Sequence, residues 1–182
     1  MLRYRHKAKG EKIMLNANIN KILNEQINKE MFSSYLYLDF ANFYVNEGLN
    51  GFANWFNVQA KEEMDHALLF VHYMQNNGAV IELDAIAKPN NKIKDLGEPL
   101  DIALHHEEFI TASINSIYAE AVKVNDFRTQ EFLNWFIKEQ GEEEKNAKDL
   151  ITSYKLHGQA GLFALDSQLA QRIYHAPSLK LD

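Results

Sequence analysis

The segment Gln59-Ala60-Lys61-Glu62-Glu63-Met64-Asp65-His66 sets a carboxylate, Glu63, and an imidazole, His66, three residues apart where apolar residues recur with helical period. On a helix these two side chains share one face, about one turn apart. Phe52, Trp55, Phe56, Leu69, Phe70 and Tyr73 fall on the same face, so the pair points into an apolar core. An acid placed there needs compensation.

Working outward, the helix that carries this pair runs from about Asn50 to Asn77. The one before it spans about Asn18 to Asn46, with Leu23, Ile27, Glu30, Ser34, Tyr37, Ala41 and Tyr44 at spacings of three and four. Asn46-Glu47-Gly48 ends it, Gly48 being suited to a left-handed turn. So short a link makes the two helices antiparallel neighbours. About twenty residues without helical period then lead to Pro99, and in extended form they can reach roughly 65 Å. A helix of roughly 28 residues is about 42 Å long, so this connection can cross the whole bundle and leave the second and third helices parallel.

The third helix is expected from about Leu100 to Val124, its inward face formed by Leu100, Leu104, Glu107, Thr111, Ile114, Tyr118 and Ala121. The fourth covers about Phe127 to His157, with Phe132, Phe136, Gln140, Glu143, Ala147, Leu150 and Tyr154 inward. Gly158 and Gly161 bracket a turn, and Leu162 to Ile173 reads as a short fifth helix before a tail over 176–182. At the other end residues 1–13 are basic and aperiodic, with Arg3, Arg5, Lys7, Lys9 and Lys12 against Glu11. They read as an extension, either a disordered arm or a piece not native to the domain. The fold class is therefore all-α: a four-helix bundle with a long crossover between helices two and three and a short fifth helix.

Each long helix carries one acid on its inward face: Glu30, Glu63, Glu107 and Glu143. Burying an ionised carboxylate costs several kcal/mol unless it is compensated, against a net stability of about 5 to 15 kcal/mol for a whole domain. No lysine or arginine of the four inward faces lies at these levels; Lys61, Lys138 and Lys145 fall elsewhere on their helices. Metal cations are the remaining compensation. With no cysteine in the chain, thiolate sites and disulfides are excluded, and oxygen-rich sites with one imidazole suit iron, manganese or zinc.

Composition narrows the partners. A net charge of -6 argues against nucleic acid, whose phosphates call for a basic surface. No apolar run approaches the ~18 residues of a membrane span, and the amino terminus lacks the apolar centre of a secretory signal. A cytoplasmic location, away from the membrane, is expected.

Leu23-Asn24-Glu25-Gln26 with Asn28-Lys29-Glu30 and Ser33-Ser34, then Glu62-Glu63-Met64-Asp65-His66, then Trp135 with Glu139-Gln140-Gly141-Glu142-Glu143-Glu144-Lys145, resemble the bacterial non-haem ferritins. The resemblance covers about Met14 to Ile173 and assigns 14–175 as a ferritin-like di-iron domain. It implies a ferroxidase centre in which Glu30, Glu63 and His66 bind one iron and Glu63, Glu107 and Glu143 a second. It further implies a third iron site at Glu62, Glu139, Glu142 and Glu143, a Tyr37 that supplies an electron or proton, and a Gln140 beside the second iron. The assembly it implies is a hollow shell of 24 subunits holding a ferric oxyhydroxide mineral, with the fifth helix at four-fold axes.

Bacterioferritins repeat E-x-x-H on the fourth helix, whereas this chain has Gln140-Gly141-Glu142-Glu143 there, and Met64 at the position of their haem ligand also occurs in ferritins without haem. No haem is expected. Two further readings stand beside iron storage. One is a di-iron peroxidase or oxidase of rubrerythrin type without mineral, although the cysteines of its electron-transfer segment are missing. The other is a metal-free binding bundle. Acids in a run such as Glu142-Glu143-Glu144 ordinarily face solvent, so the third site leans most on the resemblance. Trp135 reads as a core aromatic, and His72, His105, His106 and His157 as surface residues.

Overall fold

The computed structural model describes residues 15–89 and 92–181, so the expected basic extension lies outside the described residues. Four helices account for the regular structure, and no strand occurs among the described residues. Helix α1 spans Ala17–Asn46, and its first turn is capped by the Asn16 side chain, which accepts from the Asn18 backbone N–H. It stops where Gly48 adopts φ 76, and the Leu49 N–H returns to the Tyr44 carbonyl at 2.9 Å. Helix α2 spans Asn50–Asn76, α3 Glu98–Lys123 and α4 Phe127–Leu169, the last capped by Asp126 accepting from Thr129 N–H.

Contacts along the bundle fix the directions. Tyr44, late in α1, bonds the Leu96 carbonyl just before α3, while Asn18 at the start of α1 reaches Glu120 near the end of α3. Tyr73, late in α2, meets Thr129 at the start of α4. Each of these pairs is antiparallel, α1 and α2 are antiparallel through their short link, and α2 and α3 therefore run parallel as expected. The crossover lies along α1: Asn24 bonds the Val80 carbonyl and the Glu82 N–H, and Asn28 bonds the Ala85 carbonyl.

Two apolar clusters fill the interior. One gathers Tyr37, Phe40, Tyr44, Phe52 and Phe56, the other Leu23, Ile27, Phe70, Tyr73, Phe132 and Phe136. Between them lies a buried polar layer: Gln26, Glu30, Ser33, Gln59, Glu63, His66, Glu107, Gln140 and Glu143. All seven expected inward residues of α1 are buried. On α3 the deepest positions are Leu100, Ala103, Glu107, Ile110, Ile114, Ile117 and Ala121, while Leu104, Thr111 and Tyr118 are half-buried. The expected stripe is thus rotated towards a flank, because spacings of three and of four both satisfy the helical period and the neighbouring helices select between them.

The end of α4 also departs from expectation. Helical structure continues past His157 to Leu169, broken only at Gly158, where φ 56 and ψ -170 lie outside the helical region. No separate fifth helix over Leu162 to Ile173 stands among the described residues; that stretch is helical only to Leu169, as the end of α4. From it Asp166 reaches back to cap α2, whose own N-cap residue, Leu49, has no side-chain acceptor. Asp166 Oδ1 accepts from the Gly51 and Phe52 N–H groups at 2.7 and 3.0 Å. The approach is so close that a Cβ at position 51 would stand 1.7 Å from the Asp166 carbonyl oxygen, which only glycine avoids.

Candidate metal centre

The polar layer brings Glu30 of α1 together with Glu63 and His66 of α2. One ligand atom from each lies within 4.8 Å of the others, all three side chains are buried, and no other acid or histidine group among the described residues meets that spacing. His66 Nδ1 faces Glu63 at 3.6 Å, and Trp135 and Phe136 hold the ring edge-on at centroid distances of 5.6 and 5.8 Å. Its Nε2 faces Glu139 at 3.9 Å, so Glu139 is the acid beyond the imidazole.

Glu30 is oriented by a relay. Its Oε1 accepts from Gln26 Nε2 at 2.7 Å; Gln26 Oε1 accepts from Ser113 Oγ at 2.6 Å, and Ser113 Oγ accepts from Lys29 Nζ at 2.8 Å. Glu30 Oε2 and Glu63 Oε1, by contrast, are buried with no hydrogen-bond donor. Such oxygens are rare and costly unless a proton or a cation satisfies them. Two buried carboxylates, each with a bare oxygen, grouped with an imidazole and no sulfur, form a donor set that fits a divalent metal of the iron, manganese and zinc class.

Glu107 and Glu143, the acids of α3 and α4, sit in the same layer but are already hydrogen-bonded. The Tyr37 hydroxyl donates to Glu107 Oε1 and Gln140 Nε2 to Glu107 Oε2 at 3.2 Å, while Gln59 Nε2 donates to Glu143 Oε2 at 2.8 Å. Tyr37 and Gln140 thus both donate to Glu107. Burial pushes Glu107 up to about 8, with Glu143 adding to the rise and the Tyr37 and Gln140 bonds opposing it. Burial also raises Glu30, against the pull of His66, and raises Glu63 well above the usual carboxylate range, with Glu107, Glu30 and Glu143 pushing the same way. Tyr37 is raised well above its ordinary value, by burial first and by Glu107 next.

The four acids implied as a third site are not brought together at ligand spacing. Glu142 is exposed, Glu139 leans towards His66, and Glu143 is held by Gln59. Glu62 is paired instead with Arg172, whose Nη2 donates to Glu62 Oε2 at 2.6 Å. Burial lifts Glu62 to about 7 even so, Arg172 pulling it down while Glu143, Glu139 and Asp65 push it up. One other reading changes. His106 is not a surface residue: it packs against Phe32, Tyr37 and Phe109, shares a 2.7 Å hydrogen bond with Ser33 Oγ, and is lowered to about 4 by burial. His105, its neighbour in sequence, is exposed because the next residue of a helix points about 100° away. Sequence reasoning also passed over Gln26 and Gln59 as site residues, although each lies four residues before a site acid and so one turn away on the same face.

The ferritin-like domain family matches residues 20–156 of this chain. The chain belongs to that family. Among its relatives, a bacterial non-heme ferritin from Bacteroides fragilis is 36% identical over 163 residues, covering 87% of this chain and 100% of the relative. A probable bacterial non-heme ferritin-like protein from Haemophilus influenzae is 34% identical over 158 residues, covering 86% of this chain and 96% of its own length. The open pore ferritin of Archaeoglobus fulgidus superposes with a TM-score of 0.86 at 32% identity, over 89% of this chain and 100% of its own. An engineered closed form of that protein also gives 0.86, at 33% identity over 88% and 99%. In this ferritin-family chain the family match ends at residue 156, just before the break at Gly158, so Arg172 lies outside it.

Proposed function

We propose that this protein takes up ferrous iron, oxidises it with dioxygen or hydrogen peroxide at a paired site, and stores the ferric product as an oxyhydroxide mineral inside a 24-subunit shell. The observation that carries this reading is the buried triad of Glu30, Glu63 and His66, whose two acids each keep a buried oxygen without a donor. Iron is the substrate. Glu30, Glu63 and His66 would hold one ferrous ion; Glu107 and Glu143 would hold a second, shared through Glu63, once Tyr37, Gln140 and Gln59 release their oxygens to it.

Hard carboxylate oxygens stabilise ferric over ferrous iron, which favours oxidation. A pair of ferrous ions supplies the electron pair that reduces dioxygen to hydrogen peroxide, or hydrogen peroxide to water. The protons that burial holds on Glu63 and Glu107 are given up when a cation binds, so uptake is coupled to proton release. Tyr37, raised well above its ordinary value and hydrogen-bonded to Glu107, would stay protonated and would supply an electron with its proton from the Glu107 side. No helix among the described residues is long and apolar enough to cross a membrane.

Anaerobic titration with Fe(II), followed by admission of air, tests the reading. Binding of up to two ions per chain and growth of a ferric mineral on aeration are expected; no binding would end every metal hypothesis. Binding without mineral, or a monomer or dimer by native sizing, would favour a di-iron enzyme without storage, because a single bundle encloses no cavity. Excess Zn(II) should slow oxidation, since divalent affinities at such sites generally place zinc above ferrous iron.

A further inference from the structure

Beyond Leu169 the chain leaves the helical conformation and runs along α2 in the same direction, towards the start of α4. Its contacts follow in order. Asn54 Nδ2 donates to the carbonyls of Leu169 and Arg172 at 3.2 and 3.0 Å. Arg172 comes next, then Tyr174, whose hydroxyl donates to Asp65 and whose ring lies under the Lys61 ammonium. Ser178 then accepts from the Trp135 indole N–H at 2.9 Å, and Leu179 and Leu181 pack on the Leu23–Phe132 cluster. The segment is held along its length.

Arg172 is the inward cation of this segment. Its guanidinium lies 4.6 Å above the Trp55 ring and donates to the Trp55 carbonyl at 3.3 Å, to Gln59 Oε1, and to Glu62 Oε2 at 2.6 Å. Gln59 passes the contact on, its amide N–H donating to Glu143. A planar guanidinium stacked on an indole, with its N–H groups on a carboxylate and an amide oxygen, is an ordered site for a resident charge.

We propose that residues 170–181 form a strap that carries its own cation, Arg172, onto Glu62. The α2–α4 acidic face then gains a metal ion only when that cation is removed. The α1–α2 triad has bare oxygens and needs an external ion; the Glu62 face has its charge partner built into the chain. The proposal rests on the iron reading for the chemistry of the central site, but its own signal is a difference between variants.

The test counts Zn(II) ions per chain by calorimetric titration of the full-length protein, wild type against Arg172→Ala, Arg172→Gln and Arg172→Lys. Zinc is chosen because it binds the same donors without redox chemistry. The Ala and Gln variants should each bind one more ion per chain than wild type, and the Lys variant, which keeps a cation, the wild-type number. Adding Glu62→Gln to Arg172→Ala should remove the extra ion. Equal counts in wild type and both neutral variants overturn the proposal, as does an extra ion that survives Glu62→Gln. Failure of the central site would show separately, as no zinc bound by wild type.

Discussion

The two halves of the polar layer hold the same kind of residue in opposite states. On α1 and α2, Glu30 and Glu63 each keep one buried oxygen without a donor. On α3 and α4, Glu107 is bonded by Tyr37 and Gln140, and Glu143 by Gln59. A buried carboxyl with neutral donors can wait without a cation, whereas one with a bare oxygen is satisfied only by a proton or a metal. Under the proposed function the α1–α2 half would bind an ion tightly, and the other half would take a second ion only when its donors let go.

Removing Glu63 should have the largest effect. Glu63 belongs to the triad and is coupled by charge to Glu107 and Glu143. Loss of an outer partner of a metal ligand typically costs about 10- to 100-fold, so loss of the ligand itself should slow the initial oxidation of Fe(II) by more than about 100-fold. Stopped-flow absorbance of Glu63→Ala measures it, with native sizing as the control for assembly. An unchanged initial rate would remove Glu63 from the centre.

The next substitution asks whether the tight half depends on its relay. Gln26 is fully buried and spans Glu30 and Ser113. Gln26→Ala should weaken binding of the first ion by about 10- to 100-fold while leaving the ligands in place. A competition titration against a chromophoric chelator reads this directly. If Gln140→Ala, on the other half, weakened the first ion more, the assignment of the halves would be reversed.

A smaller effect lies in the pH dependence of the metal-free protein. Glu30, Glu63 and Glu107 are all raised in the fold, Glu107 to about 8, so over the range between the ordinary carboxylate value and 8 the folded state binds more protons than the unfolded chain. Stability then falls as pH rises through that window, since its slope follows the protons bound unfolded minus those bound folded. In the presence of chelator the melting temperature should drop by several degrees from pH 6 to pH 8, and added Zn(II) should reverse the trend. A melting temperature that rose over that window in chelator would mean the acids are ionised without a metal.

Much of this was legible in the sequence, for particular reasons. Glu30, Glu63, Glu107 and Glu143 stand out because each interrupts an apolar stripe, and periodicity along one helix is a local property. All four are buried in one layer. The flank on which α3 packs was not legible, because Ala103 and Leu104 both suit a helical stripe and only the neighbours decide between them. Nor was Arg172, which the pattern counts as part of a short fifth helix but which lies past the helix end at Leu169 and reaches Glu62 across 110 residues of chain. The inward helix faces carry no compensating lysine or arginine; the cation arrives on the non-helical segment after Leu169. His106 differs again: its burial comes from Phe32 and Ser33 of α1, which α3's own pattern does not contain.

The smallest expected effect is the one that would turn one half into the other. Tyr37→Phe deletes the donor to Glu107 Oε1 and leaves the ring between Phe40 and Phe56 in place. Glu107 would then carry a bare oxygen as Glu30 and Glu63 do, and leaving a buried acceptor unsatisfied costs about 1 to 3 kcal/mol. For a chain of this size each kcal/mol is about 2–4 °C in melting temperature. The metal-free variant should therefore melt lower by an amount of that order in differential scanning calorimetry, and saturation with Zn(II) should shrink the difference, because an ion takes the place of the lost donor. If the gap to wild type persisted with zinc bound, the hydroxyl would be serving the core rather than the centre, and the second half would lose its conditional role.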